Sequence, residues 1–216
     1  LSTETPTAYL AVKRSLDIAI SAIALSVALI PLLLLAICIQ IESIGPALNR
    51  RRVLACQAWS EAIGRNRLRM FDAYKLRTVI VEADDYLSRN PQLLERFQKD
   101  WKLTDDPRVT KLGAKLRATS VDEVPHLINV LKGQMSLVGP RMITAPELER
   151  YGRNAAKLLS VKPGLTGLWQ VSGRQEVSCA ERVRLDMSYI EGRSLSLDLQ
   201  ILLKAVVCAL QRKSAY

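Results

Sequence analysis

An uncharged apolar run near the N-terminus constrains this chain more than any other feature of its sequence. The run extends from Ile18 to Ile41. As a helix it would be about 36 Å long, enough to cross the hydrocarbon core of a bilayer. It is too long for the apolar part of a cleaved signal peptide, and no small-residue cleavage site follows it. A buried helix of a soluble domain is the other alternative, and we predict a membrane segment.

Basic residues stand on both sides of this run. Lys13 and Arg14 precede it, and three arginines at 50–52 follow it. Because Lys and Arg concentrate on the cytoplasmic side of membrane segments, both ends are predicted to lie in the cytoplasm. A re-entrant helix satisfies this condition and a single span does not, and Pro31 can bend the helix. The sequence favours a re-entrant anchor at 13–42 over a spanning one, after a loose N-terminus at 1–12 and before a cytosolic domain at 43–216.

The charge balance indicates an anionic partner. The chain carries 31 Lys and Arg against 21 Asp and Glu, a net charge of +10. Such a surplus fits nucleic acid, an anionic lipid surface or a phosphorylated substrate. Nucleic acid is the weakest of these, because the chain has only two Phe and three Trp for stacking and the apolar run would be unexplained.

The number and spacing of the cysteine and histidine residues argue against a zinc site and against a Ser-His-Asp catalytic triad. The four cysteines are far apart and form no Cys-x-x-Cys pair, so we predict that they are reduced and structural. The chain has one histidine, His126. A zinc site is not expected from this set, and neither is a Ser-His-Asp hydrolase.

Periodicity and turn residues predict a mainly α-helical domain with a few short strands. A strand is predicted at 71–77 and a short apolar run, turning sharply at Gly139-Pro140, at 135–138. Helices are predicted at 82–101 with a break at Asn90-Pro91, and at 120–131, 147–159, 180–189 and 195–210. The last helix is amphipathic and could lie in the core or on a membrane surface. The segment 161–174 is predicted to be a loop, and 43–69 has no assignable pattern.

Asp122 and Glu123 are the candidate catalytic residues. Ser120 and Glu123 have the S-x-x-E spacing of a capping box, which predicts a helix that begins at Ser120. A structural role for the acidic pair in the first turn is the alternative. That role accounts for Glu123 but leaves the Asp122 carboxylate free and exposed at a helix N-terminus, where phosphate also binds. An aspartate carboxylate can attack phosphorus when cations screen the two anions.

Basic side chains near this helix could supply the screening. Lys75 and Arg77 lie in the segment YKLRT, Arg117 precedes the acidic pair, and Arg141 follows the rigid Gly-Pro turn. A solvated surface role is the alternative for each. Trp169 and Gln170 lie in a Gly-rich segment and could contact a base or a sugar, although Trp169 could equally be a core residue. The sequence has no GxGxxG or Walker motif.

Long segments of the chain resemble the bacterial sugar transferase family, the monotopic polyprenyl-phosphate phosphoglycosyl transferases. The resemblance rests on matches in the same order along the chain. The segments are KRSLD (13–17) with the Pro-containing apolar run, YKLRT (74–78), DPRVTKLG (106–113), DEVPHLINVLKGQMSLVGPR (122–141), VKPGLTGLWQVSGR (161–174) and LDMSYIEGRSLSLDLQILLKAV (185–206). The similarity covers nearly everything from Lys13 onward.

The resemblance implies a mechanism. Asp122 would attack the phosphate attached to the sugar of a UDP-sugar and release UMP. The phosphosugar-aspartyl intermediate would then react with undecaprenyl phosphate, initiating exopolysaccharide synthesis. Mg²⁺ is expected beside Asp122 and Glu123. The substrate and phosphate ligands implied by the matched motifs are Lys75, Arg77, Arg117, Arg141, Gln170 and Arg174.

The resemblance also implies a location. The anchor would be a re-entrant helix in the inner leaflet of the bacterial cytoplasmic membrane, bent near Pro31. The catalytic domain would lie on the cytoplasmic face, with amphipathic helices on the membrane surface. Galactose or glucose is the expected sugar, a short form without extra N-terminal helices is expected, and a homo-oligomer is left open.

Two departures from the family pattern change apolar residues and leave the charged ones. Met142 stands where the family has a second proline after Arg141, and Leu76 and Val79 replace family residues around Arg77. Residues 53–63 have diverged where the family has a basic hairpin. Two alternatives stay open: an inactive membrane scaffold of the same fold, and direct attack by the lipid phosphate without a covalent intermediate.

Overall fold

The computed structural model describes residues 7–56, 69–100, 103, 105–173 and 178–210. In this part of the chain it is mainly helical with a few short strands, as the sequence predicts. The elements in chain order are α1 (Thr7–Glu42), β1 (Leu48–Leu54), β2 (Met70–Leu76), α2 (Ala83–Ser88), α3 (Pro91–Asp100), α4 (Lys111–Thr119), a 3-10 turn (Val121–Glu123), α5 (His126–Leu131), β3 (Ser136–Val138), a 3-10 helix (Pro146–Asn154), α6 (Ala155–Leu159), β4 (Gly164–Thr166), α7 (Leu168–Val171), α8 (Cys179–Gly192) and α9 (Leu195–Leu210).

Helix α1 is the one helix in the described residues that is long and apolar enough to cross a membrane. It begins at Thr7, so residues 7–12 are helical and the predicted loose N-terminus is wrong for them. Only 6% of its most apolar window of 18 residues is buried, which rules out a core helix. Its exposed face carries large apolar side chains from Leu10 to Ile41. The prediction of a membrane segment fits this exposure.

The beginning of α1 is attached to the domain by the charged residues of KRSLD. Lys13 Nζ lies 2.7 Å from Asp198 Oδ2 on α9. Arg14 donates hydrogen bonds to the carbonyls of Val130 and Leu131 in the last turn of α5, where the regular i to i+4 hydrogen bonds of a helix end. Asp17 is buried and accepts a hydrogen bond of 3.0 Å from the backbone N–H of Leu137 in β3. The motif therefore connects α1 to three separate elements.

The end of α1 contacts the same domain. Ile39 is buried in a small cluster with Leu76 and Leu116. Glu42 accepts a hydrogen bond of 3.0 Å from the backbone N–H of Leu112, in the first turn of α4. Ser21, on the same helical face as Ile39, is fully buried between these two ends. One face of α1 thus contacts the domain near both ends.

Strands β1 and β2 form an antiparallel pair in which Leu48 lies opposite Leu76 and Leu54 opposite Met70. Strand β2 matches the strand predicted at 71–77. Strand β1 falls in the unassigned segment 43–69, because its first five residues are all exposed and only Val53 and Leu54 are buried. Such an edge strand has no alternating pattern for the sequence to reveal.

Strands β3 and β4 are parallel and bring the two long motifs of the sequence together. Gly139 and Gly164 meet where the backbones cross: the Gly139 N–H donates to Thr166 and the Gly164 N–H donates to Pro140. A Cβ on Gly164 would lie 2.1 Å from the Gly139 nitrogen, so neither strand could carry a side chain here. The segment 161–174, predicted to be a loop, therefore contains β4 and α7.

The main core lies between β3, α5, α8 and α9. Its largest fully buried members are Met135, Val130, Val138, Tyr189 and Ile201. Ile201 confirms that one face of α9 belongs to the core. The opposite face of α9 exposes Leu199, Leu203, Val206 and Val207.

The predicted helices are confirmed with shifted ends, except at two places. The helix predicted at 147–159 is a 3-10 helix followed by α6, and Gly152 bends the chain with φ 45°. The helix predicted from Ser120 begins at His126 instead. All four cysteines are free, which agrees with the reduced state predicted for them, but Cys38 and Cys179 are exposed rather than structural.

Candidate active site around Asp122 and Lys75

The turn that carries the acidic pair differs from the predicted capping box. Ser120 ends α4 in the left-handed conformation, with φ 56°, and its side chain caps nothing. The 3-10 turn Val121–Glu123 follows, and Pro125 then precedes α5. Ser120 fails as an N-cap because its backbone already serves as the C-cap of α4. This tight turn directs two successive carboxylates to different surroundings.

Asp122 is buried and Glu123 is partly exposed. The Asp122 side chain is 1% exposed, against 24% for Glu123. The prediction of an exposed Asp122 is therefore wrong. Burial removes the water that would otherwise solvate a carboxylate, and a nearby positive charge compensates for that loss.

Lys75 provides that charge from β2. Its Nζ lies 2.6 Å from Asp122 Oδ2 and 4.0 Å from Glu123 Oε1. The Lys75 side chain is 27% exposed, so it reaches from the surface to the buried carboxylate. One of the predicted phosphate ligands, Lys75, thus contacts both acidic residues.

His126 is part of this site and was not predicted to be. It is 3% exposed, and its Nδ1 has no hydrogen-bond partner in the described residues. Burial, together with the nearby charges of Lys75 and Arg141, lowers the pKa of His126 to about 4, and the charge of Glu123 opposes this shift. The imidazole is neutral at pH 7.

Arg141 follows Gly139 and Pro140, where the backbone leaves its crossing with Gly164, and its charge acts on His126. Its guanidinium carbon is 5.6 Å from the centre of the Trp169 ring. In the described part of the chain its guanidinium has no ion pair and no hydrogen bond to a side chain. A guanidinium without such partners can bind an anion.

Trp169 is a core residue with two arginine side chains near its ring. It is 7% exposed, and Arg182 lies over the ring at 4.8 Å in addition to Arg141. This burial agrees with the core alternative for Trp169. Behind the two arginines Asp186 is fully buried and accepts a hydrogen bond of 2.8 Å from Tyr151. Burial raises the pKa of Asp186 to about 7, although Arg141 and Arg182 partly offset it.

Three of the predicted ligands make contacts of other kinds. The buried Arg77 guanidinium binds the side chain and carbonyl of Ser43, and thereby holds the loop after α1. Arg117 donates from Nε to Thr78 Oγ1 at 2.8 Å. Gln170 donates weakly, at 3.5 Å, to the carbonyl of Leu165 in its own segment. Arg174 lies outside the described residues.

A polar stripe in the sequence could have revealed more of the site. His126 and Asn129 follow Asp122 at i+4 and i+7, the spacing of one helical face. Asn129 is completely buried and binds β2 beside Lys75. His126 and Asn129 lie on the helical face of Asp122, and the apolar Val124, Ile128 and Leu131 lie on the opposite face. This pattern was the signal in the sequence for further site residues.

The donor set could hold Mg²⁺ only together with a substrate. Within the described residues no group of three or more His, Cys, Asp or Glu could hold a metal ion. Mg²⁺ is commonly bound by one or two carboxylates plus substrate phosphates and water. Glu123, being partly exposed, and the adjacent Asp122 fit such a partial set.

The structure combines an apolar helix, attached near both ends to the domain, with an aspartate buried against a lysine. These features indicate a membrane-associated protein with a carboxylate at its site. The family model for bacterial sugar transferases matches residues 8–212, and the chain belongs to this family.

Three relatives show what this family includes. The chain is 44% identical over 152 residues to undecaprenyl-phosphate galactose phosphotransferase of Salmonella typhimurium, covering 68% of this chain and 32% of that protein. It is 40% identical over 210 residues to the exopolysaccharide production protein ExoY of Sinorhizobium fredii, covering 94% and 88%. It is 36% identical over 213 residues to UDP-glucose:undecaprenyl-phosphate glucose-1-phosphate transferase of Caulobacter vibrioides, covering 94% and 72%. The chain spans about a third of the length of several other curated relatives.

Proposed function

We propose that this protein transfers a sugar 1-phosphate from a UDP-sugar to undecaprenyl phosphate, with Asp122 as the nucleophile. Galactose or glucose is the proposed sugar, since relatives named for each are among the similar proteins. The product would initiate exopolysaccharide synthesis, the process for which the Sinorhizobium relative is named. The observation that carries the proposal is the buried Asp122 carboxylate, 2.6 Å from Lys75 and next to the partly exposed Glu123.

The proposed reaction has two phosphoryl transfers. An Asp122 carboxylate oxygen attacks the phosphorus attached to the sugar, and the bond from that phosphorus to the UMP oxygen breaks. A phosphate oxygen of undecaprenyl phosphate then attacks the same phosphorus, and the aspartyl oxygen leaves as a carboxylate. Neither step requires an oxidant or a reductant, and UMP leaves before the lipid reacts.

The cationic side chains explain how the Asp122 carboxylate and the diphosphate of the substrate, both anions, could approach each other. Lys75 offsets the charge of Asp122, and Arg141 has a guanidinium free to bind the diphosphate of the nucleotide sugar. The neutral, buried His126 adds no charge at pH 7. Glu123, with Asp122, would hold Mg²⁺ against the substrate phosphates, and bound Mg²⁺ would neutralise phosphate charge.

The contacts of α1 support a re-entrant anchor. Asp17 near one end and Glu42 at the other both bond to the same domain. A straight helix that crossed the bilayer would hold its two ends about 30 Å apart on opposite sides of the hydrocarbon core. A helix that dips into one leaflet keeps both ends on the domain side. Pro31 lies in the apolar stretch between these contacts.

Helix α9 supports a second contact with the membrane surface. Its exposed Leu199, Leu203 and Val206 lie at i, i+4 and i+7, on one side of the helix. The same helix binds Lys13 through Asp198, so this stripe is attached to the first turns of α1. We propose that both apolar faces lie in the cytoplasmic leaflet of the inner membrane.

The test of the reaction is UMP release from a panel of UDP-sugars, with and without undecaprenyl phosphate and Mg²⁺. Asp122→Asn is expected to abolish release, and Asp85→Asn, at an exposed position on α2, is the matched control. Stopping the reaction without lipid should leave one phosphosugar on the peptide that contains Asp122. Release of UMP only when lipid is present, with no labelled peptide, would replace the covalent route by direct attack.

The test of the anchor is cysteine labelling in a background without the four native cysteines. A single cysteine at Ser15 or at Ile44, on either side of the apolar run, is treated with a membrane-impermeant maleimide. Both positions should be labelled in inside-out vesicles and neither in spheroplasts. Labelling of one of them in spheroplasts would establish a spanning helix.

A further inference from the structure

The buried amide of Asn129 connects the two halves of the site. Asn129 is 0% exposed and lies on α5, seven residues after Asp122. Its Oδ1 accepts a hydrogen bond of 3.0 Å from the backbone N–H of Tyr74, and its Nδ2 donates one of 2.8 Å to the carbonyl of Asp72. Nδ2 also donates to Gln134 Oε1 at 2.8 Å.

These bonds complete the open edge of β2. Within the described residues the sheet has two strands, so β1 pairs with one edge of β2 and no described strand pairs with the other. In an antiparallel pair, alternate residues direct their N–H and C=O groups away from the partner strand. The Asp72 carbonyl and the Tyr74 N–H are two such groups. The Asn129 amide supplies one acceptor and one donor at the right spacing, as a residue of a third strand would.

The residue that follows Tyr74 is Lys75. Its ammonium group lies 2.6 Å from Asp122, which belongs to the same continuous segment as Asn129. The segment 121–131 is therefore joined to β2 by two kinds of contact, a neutral one through Asn129 and a charged one through Lys75. The neutral contact involves the backbone, so it fixes the place from which the flexible lysine side chain extends.

We propose that Asn129 is a positioning residue that acts through Lys75 by setting the approach of its ammonium group to Asp122. Its role in turnover rests on the proposed function, whereas its effect on the Lys75 position does not. Few other side chains could replace it. Aspartate lacks the donor for Asp72, leucine lacks both groups, and glutamine is one methylene longer in a fully packed place.

The first test measures the position of Lys75 without any catalysis. The protein is acetylated with an amine-reactive reagent, and the rate at Lys75 is compared by peptide mass spectrometry with the rate at the exposed Lys111. Asn129→Ala should raise the relative rate at Lys75 several-fold, as Asp122→Asn should. Gln134→Ala is the matched control, because it removes the third partner of Asn129 and keeps both bonds to β2. It should leave the rate unchanged.

The second test is a double-mutant cycle in single-turnover UMP release. Asn129→Ala should lower the rate about tenfold while changing the KM for the UDP-sugar less than twofold, since misplacement mainly affects the chemical step. In a Lys75→Met background the same substitution should have little further effect. Asn129→Ser, which keeps a hydroxyl for one of the two strand groups, replaces the alanine variant if that variant does not fold.

Two results would overturn the proposal. One is an unchanged acetylation rate at Lys75 in a folded Asn129 variant. The other is a cycle in which the effects of Asn129→Ala and Lys75→Met multiply, because independent effects would show a general packing role. If no variant, including the wild type, releases UMP while the acetylation rates change as expected, the proposed function fails and the positioning of Lys75 by Asn129 stands.

Discussion

Lys75 Nζ lies 2.6 Å from Asp122 Oδ2, and this contact joins β2 to the 3-10 turn that precedes α5. Asp122 is 1% exposed, so the lysine is the charge that allows the carboxylate to be buried. The same ammonium group is 4.0 Å from Glu123. One ammonium group is therefore shared by two successive carboxylates.

We expect Lys75→Met to lower UMP release about 100-fold, the usual effect of removing one group that stabilises developing charge. It should also lower the melting temperature, because it leaves the buried Asp122 carboxylate unpaired. Lys132→Met is the matched control: Lys132 is exposed and bonds to the Tyr74 hydroxyl at 2.8 Å. That variant should retain near wild-type turnover. Equal losses in both variants would contradict a specific role for Lys75.

His126 and Asp186 should give opposite pH dependences of stability. Burial lowers the pKa of His126 from 6.5 to about 4, so the unfolded chain binds the extra proton and stability is lost as the pH falls through that range. Burial raises the pKa of Asp186 from 3.8 to about 7, so the folded protein keeps the proton and stability is lost as the pH rises. Each effect is on the order of 3 kcal/mol, and between pH 4 and 6.5 they oppose each other.

Comparing each single variant with wild type should therefore isolate the pH-dependent contribution of the group that was removed. We expect Asp186→Asn to become more stable relative to wild type as the pH rises from 4 to 7, because it no longer loses a proton there. His126→Gln should become more stable relative to wild type as the pH falls from 6.5 to 4. Urea unfolding in detergent with EDTA, at four or more pH values, measures both differences. Stability differences from wild type that do not vary with pH would contradict the two assignments.

The sequence predicts the elements whose pattern is local. The break at Asn90-Pro91 and the apolar periodicity of α9 are visible in the chain itself, and the structure has both. The burial of Asp122 could not be predicted, because it depends on Lys75, which is 47 residues away in sequence. The capping box at Ser120 was misleading for a related reason: the same residue ends the preceding helix, and only the φ of 56° decides between the two roles.

The resemblance to the family located the acidic pair, but it did not show which of the matched basic residues lie near that pair. Arg77 and Arg141 are both arginines in matched motifs, yet Arg77 is bound to Ser43 while the Arg141 guanidinium lies near the site. Spacing cannot separate them, because the difference arises from the loop after α1 folding back onto β2. The role of Asn129 could not be predicted, because its partners are backbone groups of a distant strand.

The glycine crossing should tolerate no side chain. A Cβ at Gly139 would lie 2.6 Å from the carbonyl oxygen of Lys162 and 2.7 Å from the Gly164 nitrogen. Gly139→Ala is expected to cost about 3 kcal/mol of stability and to reduce activity, because the displaced backbone carries Arg141. Gly192→Ala is the control, since nothing lies within 4 Å of its Cβ position at the end of α8. It should change stability by less than about 1 kcal/mol. Comparable melting temperatures for the two variants would disprove the close approach.

The attachment of α1 should depend on Asp198. Its carboxylate accepts hydrogen bonds from Tyr9 at 3.0 Å and Tyr189 at 2.8 Å, and it pairs with Lys13 at 2.7 Å. Asp198→Asn keeps the shape of the side chain and removes the charge that Lys13 faces in a largely buried place. We expect a loss of about 1–3 kcal/mol and faster amide exchange in the first turns of α1. Lys13→Met should have a similar effect, and the two substitutions together should cost less than their sum.

The matched control for Asp198→Asn is Glu191→Gln. Glu191 pairs with Lys157 on the surface, where both side chains are largely exposed, so its loss should have little effect. Membrane association should persist in Asp198→Asn, because the exposed apolar face of α1 is unchanged, while UMP release should fall as α5 loses its support from Arg14. The reason is that Arg14, next to Lys13, holds the carbonyls at the end of the helix that follows Asp122. If Asp198→Asn left amide exchange in the first turns of α1 unchanged but reduced UMP release, Asp198 would act on α9 alone and not through α1.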